Sequence, residues 1–115
     1  MIKLLFISFV LVFMTGSVWA ADIEKDQAYA TCATFIENEV SKLNPSLMRS
    51  EGTKVPPKYN YTDQGETHFL VWNMATPITL ANPDGSLRKT GAVCEVNKKT
   101  GKIVYLAVSA REIIK

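Results

Sequence analysis

The stretch DIEKDQAYATCATFIENEVSKL, residues 22–43, decides the fold. Apolar or small side chains recur at Tyr29, Cys32, Ala33, Ile36, Val40 and Leu43, a three-and-four spacing that draws one stripe along a helix. Glu24, Lys25, Asp26, Glu37, Glu39 and Lys42 fall mostly on the other side. Asp22 is placed to cap the start, and the acidic residues of the first turns suit the positive end of the helix dipole. Pro45 stops the helix after Asn44. Such a helix has an apolar stripe to cover, and Cys32 lies on it, so the partner of Cys32 belongs to whatever the helix packs on.

Downstream the pattern changes to that of strands. Residues 45–63 read as irregular and as the most flexible segment, because Pro56-Pro57 forbids regular helix and central strand alike; an edge strand is expected to start near Tyr59. Glu66–Ala75 alternates, with His68, Leu70, Trp72 and Met74 on one face and Phe69, Val71 and Asn73 on the other. Ile78–Leu80 is a short strand, and Asn82-Pro-Asp-Gly85 is a turn by composition. Leu87–Asn97 reads as one strand, Lys102–Ser109 as the last, with Gly101 suited to positive φ in the hairpin between them. Arg111–Lys115 reads as a frayed turn. The expected fold is α+β: an N-terminal helix packed on a three- to four-stranded antiparallel sheet.

Residues 1–20 read as a secretory signal: Lys3 as the basic end, Leu4–Met14 as the apolar run, and Val18-Trp-Ala20 as a small-x-small cleavage site. The apolar run is too short for a membrane span, which needs about 20 residues. Residues 21–115 then form a single exported domain, periplasmic or secreted, with no stable membrane insertion after cleavage. Two cysteines in an exported chain point to one disulfide, Cys32–Cys94, and a spacing far from C-x-x-C favours a structural bridge over a redox pair. The net charge of the whole chain is +2, one unit of it from Lys3. So near-neutral a domain excludes a strongly basic nucleic-acid binder, and its length excludes Rossmann and TIM-barrel architectures.

Residues fitted to catalysis are sparse. The lone histidine, His68, has no nucleophile context beside it, and both cysteines are committed to the bridge. There is no second His, no C-x-x-C, and no calcium loop beyond a partial likeness at residues 82–85. Glu24/Asp26 and Glu37/Glu39 are helix-surface neighbours, and Lys98, Lys99 and Lys102 make a basic hairpin tip. No catalytic residue, metal site or cofactor is assigned. Tyr59, Tyr61 and Trp72 are the candidate binding residues: the aromatic content of the sheet exceeds what one helix hides, and such side chains suit interfaces. The alternative is that they complete a thin core.

Two resemblances rest on particular residues. Cys32 in a helix, Leu43-x-Pro45 at its end, the Asn82-x-x-Gly85 turn and Cys94-x-Val96 near the last hairpin resemble small exported bacterial and phage domains of α-β-β-β plan with a helix-to-strand disulfide. Val96–Val104, VNKKTGKIV, is similar to the final hairpin of PepSY domains, which are implicated in restraining peptidases. The first implies a fold and no particular activity; neither carries a functional residue over.

By elimination the chain reads as a small exported binding module, an inhibitor or accessory subunit of an envelope or extracellular protein. The rival classes are a structural envelope protein, a carrier of a small apolar ligand, and a small hydrolase using His68. Export has a direct check: protein recovered from the periplasm or medium is expected to have the intact mass of a chain starting at Ala21, and a species retaining Met1–Ala20 there contradicts it.

Overall fold

The computed structural model describes residues 21–115, so the leader and cleavage site expected from the sequence lie outside the described residues. Helix α1 spans Lys25–Asn38 and a one-turn helix α2 spans Val40–Leu43. The start falls later than Asp22 for a physical reason. The Ile23 amide donates to the Lys98 carbonyl (2.9 Å), and the Ile23 carbonyl accepts from His68 Nε2 (2.9 Å), so this segment is extended against the sheet. Glu24 caps instead, and Gln27 Oε1 accepts its amide at 2.8 Å, the return half of a capping box. Asn44, in a non-helical conformation ahead of Pro45, ends α2.

The strands are β1 (Arg49–Lys54), β2 (Asn60–Asp63), β3 (Thr67–Trp72), β4 (Ile78–Ala81), β5 (Leu87–Thr90), β6 (Ala92–Asn97), β7 (Ile103–Val108) and β8 (Arg111–Ile114). They form two antiparallel sheets, β1-β4-β5 and β2-β3-β6-β7-β8. The α+β class stands, while the single sheet of three or four strands is corrected to two sheets of three and five. The difference comes from residues 87–97, which are two strands in different sheets. Gly91 makes the crossing: a Cβ there would lie 2.8 Å from the Trp72 carbonyl oxygen, so only glycine lets the two backbones approach. Gly101, at φ 72°, closes the β6–β7 hairpin as expected and donates to the Asn97 carbonyl at 2.8 Å.

Two further segments differ from the sequence reading. Residues 49–54, expected to be irregular, pair with β4 across a register shift, where the buried Thr53 hydroxyl donates to Arg49 O (2.6 Å) and accepts the Ala81 amide (3.0 Å). Residues 111–114 pair with β7 through a two-residue turn in which Ser109 (φ 54°) and Ala110 (φ 65°) are both left-handed. That is the geometry of the tight hairpin turn usually built from Asn-Gly, and here side chains of β5 hold it. Arg88 Nη1 (2.8 Å) and Thr90 Oγ1 (3.1 Å) both lie within hydrogen-bond distance of Ser109 Oγ, and the Ser109 amide donates to Gly91 O.

The core lies between α1 and the large sheet. Ala28, Cys32, Ile36 and Val40, each four apart, are fully buried, so the expected stripe holds at Cys32, Ala33, Ile36 and Val40 and departs only at its ends, where Tyr29 is half-buried and Leu43 exposed. Leu70, Trp72, Cys94, Val96, Leu106 and Val108 meet it from the sheet. Leu70, Cys94 and Leu106 stand side by side in register, and β6 is the middle strand of five. The Cys32–Cys94 disulfide, with Cα atoms 6.3 Å apart, therefore joins the middle of the helix to the middle of the sheet. It closes a loop between positions 62 apart. Cys32→Ala/Cys94→Ala is expected to lower unfolding free energy by about 4 kcal/mol, read from urea denaturation, and a loss under about 1 kcal/mol would show that the link does not govern stability.

Candidate binding surface

Strand alternation sends every second side chain of the large sheet away from the helix. On that outer side, two cross-strand rows lie next to each other: Thr62–Phe69–Glu95–Tyr105, and Asn60–Val71–Val93–Ala107–Glu112. An antiparallel sheet with one open face ordinarily presents polar residues there. Here Phe69, Val71, Val93, Tyr105 and Ala107 form an apolar centre, each half-buried by its neighbours in the sheet. The carboxylates beside them are tied to hydroxyls: Thr67 Oγ1 donates to Glu95 Oε2 at 2.7 Å and Tyr105 Oη to Glu112 Oε2 at 3.3 Å. Burial first, then the Glu112 carboxylate, raise the Tyr105 phenol above its ordinary value, so it stays protonated and donating at neutral pH.

At one end of this face Val93 and Ala107 run into a groove of about 470 Å³ between the Asn73-Met74 corner and the Ser109-Ala110 turn. Met74 is 68% exposed at its lip. The face and groove carry apolar contact area, a few hydroxyls and two carboxylates.

The sequence-derived candidates are placed otherwise. Trp72 points inward, 1% exposed, its Nε1 donating to Pro56 O at 3.0 Å; the expectation that its side of the strand is an open contact face is corrected, because register with Cys94 turns that side toward the helix. Tyr59 stacks on Tyr29 (5.5 Å, 5°) and both lie against Trp72. Burial holds both phenols above their ordinary values, aided by Glu37 at Tyr29 and by Asp26 at Tyr59. Tyr61 is separate from this group: its hydroxyl lies 2.7 Å from His68 Nδ1, and Lys25 Nζ sits 5.1 Å from its ring centre. So the structure joins Tyr59 to Trp72 and adds Tyr29, but gathers the three candidates into no single exposed patch. Phe69, Val71, Val93 and Tyr105 were not among them, although the apolar character of both faces of Glu66–Ala75 carried the signal for Phe69 and Val71.

His68 is 5% exposed, and both ring nitrogens are engaged. Nε2 faces a carbonyl and so carries the hydrogen, leaving Nδ1 to accept from Tyr61. The ring is a strut between the start of the helix and β2. At the hairpin tip Lys98 pairs with Asp63 (2.6 Å) and Lys99 with Asp22 (3.8 Å), so much of its positive charge is answered. Among the described residues no cluster of three His, Cys, Asp or Glu is arranged to hold a metal ion, and no helix is long and apolar enough to cross a membrane. A disulfide in so small a domain is compatible with an extracytoplasmic location.

The groove's turn gives a stability prediction. A non-glycine residue in the left-handed region costs about 1–2 kcal/mol, so Ala110→Gly is expected to raise the unfolding free energy by about 1 kcal/mol, read as a higher urea midpoint at unchanged slope; a lower midpoint would show that Ala110 is not strained. In comparisons with known proteins, no family model, no curated protein and no solved structure matches the chain.

Proposed function

We propose that the chain is an exported binding module that acts through the outer face of its five-stranded sheet. Its partner is a protein of the cell envelope with an apolar patch rimmed by cationic groups, which it serves as inhibitor or accessory subunit. The observation that supports this reading is the apolar centre formed by Phe69, Val71, Val93, Tyr105 and Ala107 where an open sheet face is ordinarily polar. Glu112 borders it on the edge strand and complements a basic rim, while Glu95, between Phe69 and Tyr105 on the middle strand, is bonded to Thr67.

Size and rigidity fit the role. Five strands at ~4.8 Å spacing and six residues at ~3.3 Å rise project a face of roughly 400 Å². A standard interface buries about 800 Å² per partner, so a partner must also reach the Met74 lip and the Ser109-Ala110 turn. The contact residues sit on strands fixed by the disulfide, so little ordering entropy opposes docking. A hydrolase using His68 is disfavoured by the engagement of both its nitrogens.

The discriminating pair is the mature protein and Phe69→Thr/Val93→Thr, which places a strand-favouring β-branched residue at both positions. From envelope extract, the wild type is expected to retain one partner that the variant, folded by circular dichroism and with its disulfide formed, binds at least about tenfold more weakly, roughly 1.4 kcal/mol. Equal retention of that partner by both proteins would reject this face.

A further inference from the structure

A second surface lies on the other side of the Asn73–Pro77 corner and shares no lining residue with the groove just described. It is a cleft of about 360 Å³, within the range of small-molecule sites. Val55, Pro56, Ala75 and Pro77 line its apolar part, and Lys54, Lys58 and Lys89 stand around it. All three lysines are exposed, and among the described residues none of them forms a salt bridge, whereas Lys42, Arg49, Lys98, Lys99 and Lys115 each do.

Polar bonding behind the cleft determines what it can take. The Val55 amide donates to Glu37 Oε2 (2.8 Å), the Val55 carbonyl accepts from Tyr29 Oη (2.7 Å), and the Pro56 carbonyl accepts from Trp72 Nε1 (3.0 Å). Pro56 and Pro77 have no amide hydrogen. The apolar lining therefore presents few backbone donors to an oxyanion, and Glu37, the one carboxylate lining the cleft, repels an anion from its own wall. A compact anion such as phosphate, which depends on convergent N–H groups, is poorly served. An anion whose charge stays among the ammonium groups while an apolar body covers Val55 and the prolines is well served.

The geometry points to a binding site for an amphipathic carboxylate, an aliphatic or aromatic acid with its carboxylate held by Lys54, Lys58 and Lys89. This site is independent of the proposed protein-binding face. Its test uses the mature protein with octanoate, neutral octanol and inorganic phosphate as probes, followed by amide chemical shifts. Octanoate is expected to give saturable shifts at Val55, Ala75, Thr76 and Thr79; octanol and phosphate are expected to give none that saturate over the same range. Lys54→Gln/Lys89→Gln removes two exposed charges without touching the core, and is expected to weaken octanoate about fivefold and flatten its salt dependence. Saturable octanoate binding that the double variant leaves unchanged would overturn the site. So would shifts confined to Val93 and Ala107, or none at all. Those two residues belong to the sheet face, so the spectra separate the two surfaces, and the protein-binding reading keeps its own test in the retention of an envelope protein.

Discussion

The covalent contact between Cys32 and Cys94 sets the inside of this molecule. A strand has two faces and a period of two, so fixing one residue of β6 against the helix fixes them all. Cys94 inward places Leu70 and Leu106 inward beside it, and sends Val93, Phe69, Val71 and Tyr105 outward. A slip of one residue would exchange the two sets. The buried core and the proposed contact face are thus two results of one link, formed at the centre of the sheet where it constrains both edges.

A second set of contacts joins the small sheet to the large one. The segment after β1 looks irregular from its two prolines, yet Tyr29, Glu37 and Trp72 each hold one of its backbone polar groups. Helix, linker and β3 meet there, so the linker is a joint rather than a tether. The β4–β5 hairpin leaves the large sheet after Trp72, pairs with β1, and returns through Gly91, where the backbone passes directly over the Trp72 carbonyl.

What could be read in advance followed from local chemistry. The helix, its end before Pro45, the turn at Gly85, the hairpin at Gly101 and the cysteine pairing each rest on a few adjacent residues or on periodicity. What escaped depends on distant partners. Arg49–Lys54 is polar and contains a glycine, and it is a strand only because Ile78–Ala81 lies beside it. Nothing in Leu87–Asn97 marks a change of sheet except one glycine, whose reason is a carbonyl from another strand. Ser109-Ala110 lacks the residues that announce a tight turn, and Arg88 and Thr90 stand in for them. The proposed contact face escaped for a related cause. Alternation separated Phe69 and Val71 from Leu70 and Trp72, but which set faces solvent is a property of register, and the size of the indole drew attention to the covered side.

The position of Trp72 also gives the molecule an optical property. Of the two tryptophans in the chain, Trp19 falls in the leader expected from the sequence, and a chain processed after Ala20 would emit from a single indole. That indole is shut away from water and bonded to a carbonyl, with the rings of Tyr59 and Tyr29 only 5.6 and 6.3 Å away. Light absorbed by these tyrosines will pass to it, and its emission will be that of a sheltered chromophore. Because it touches the helix, the linker and the large sheet together, separation of any of them will redden and re-weight the same spectrum.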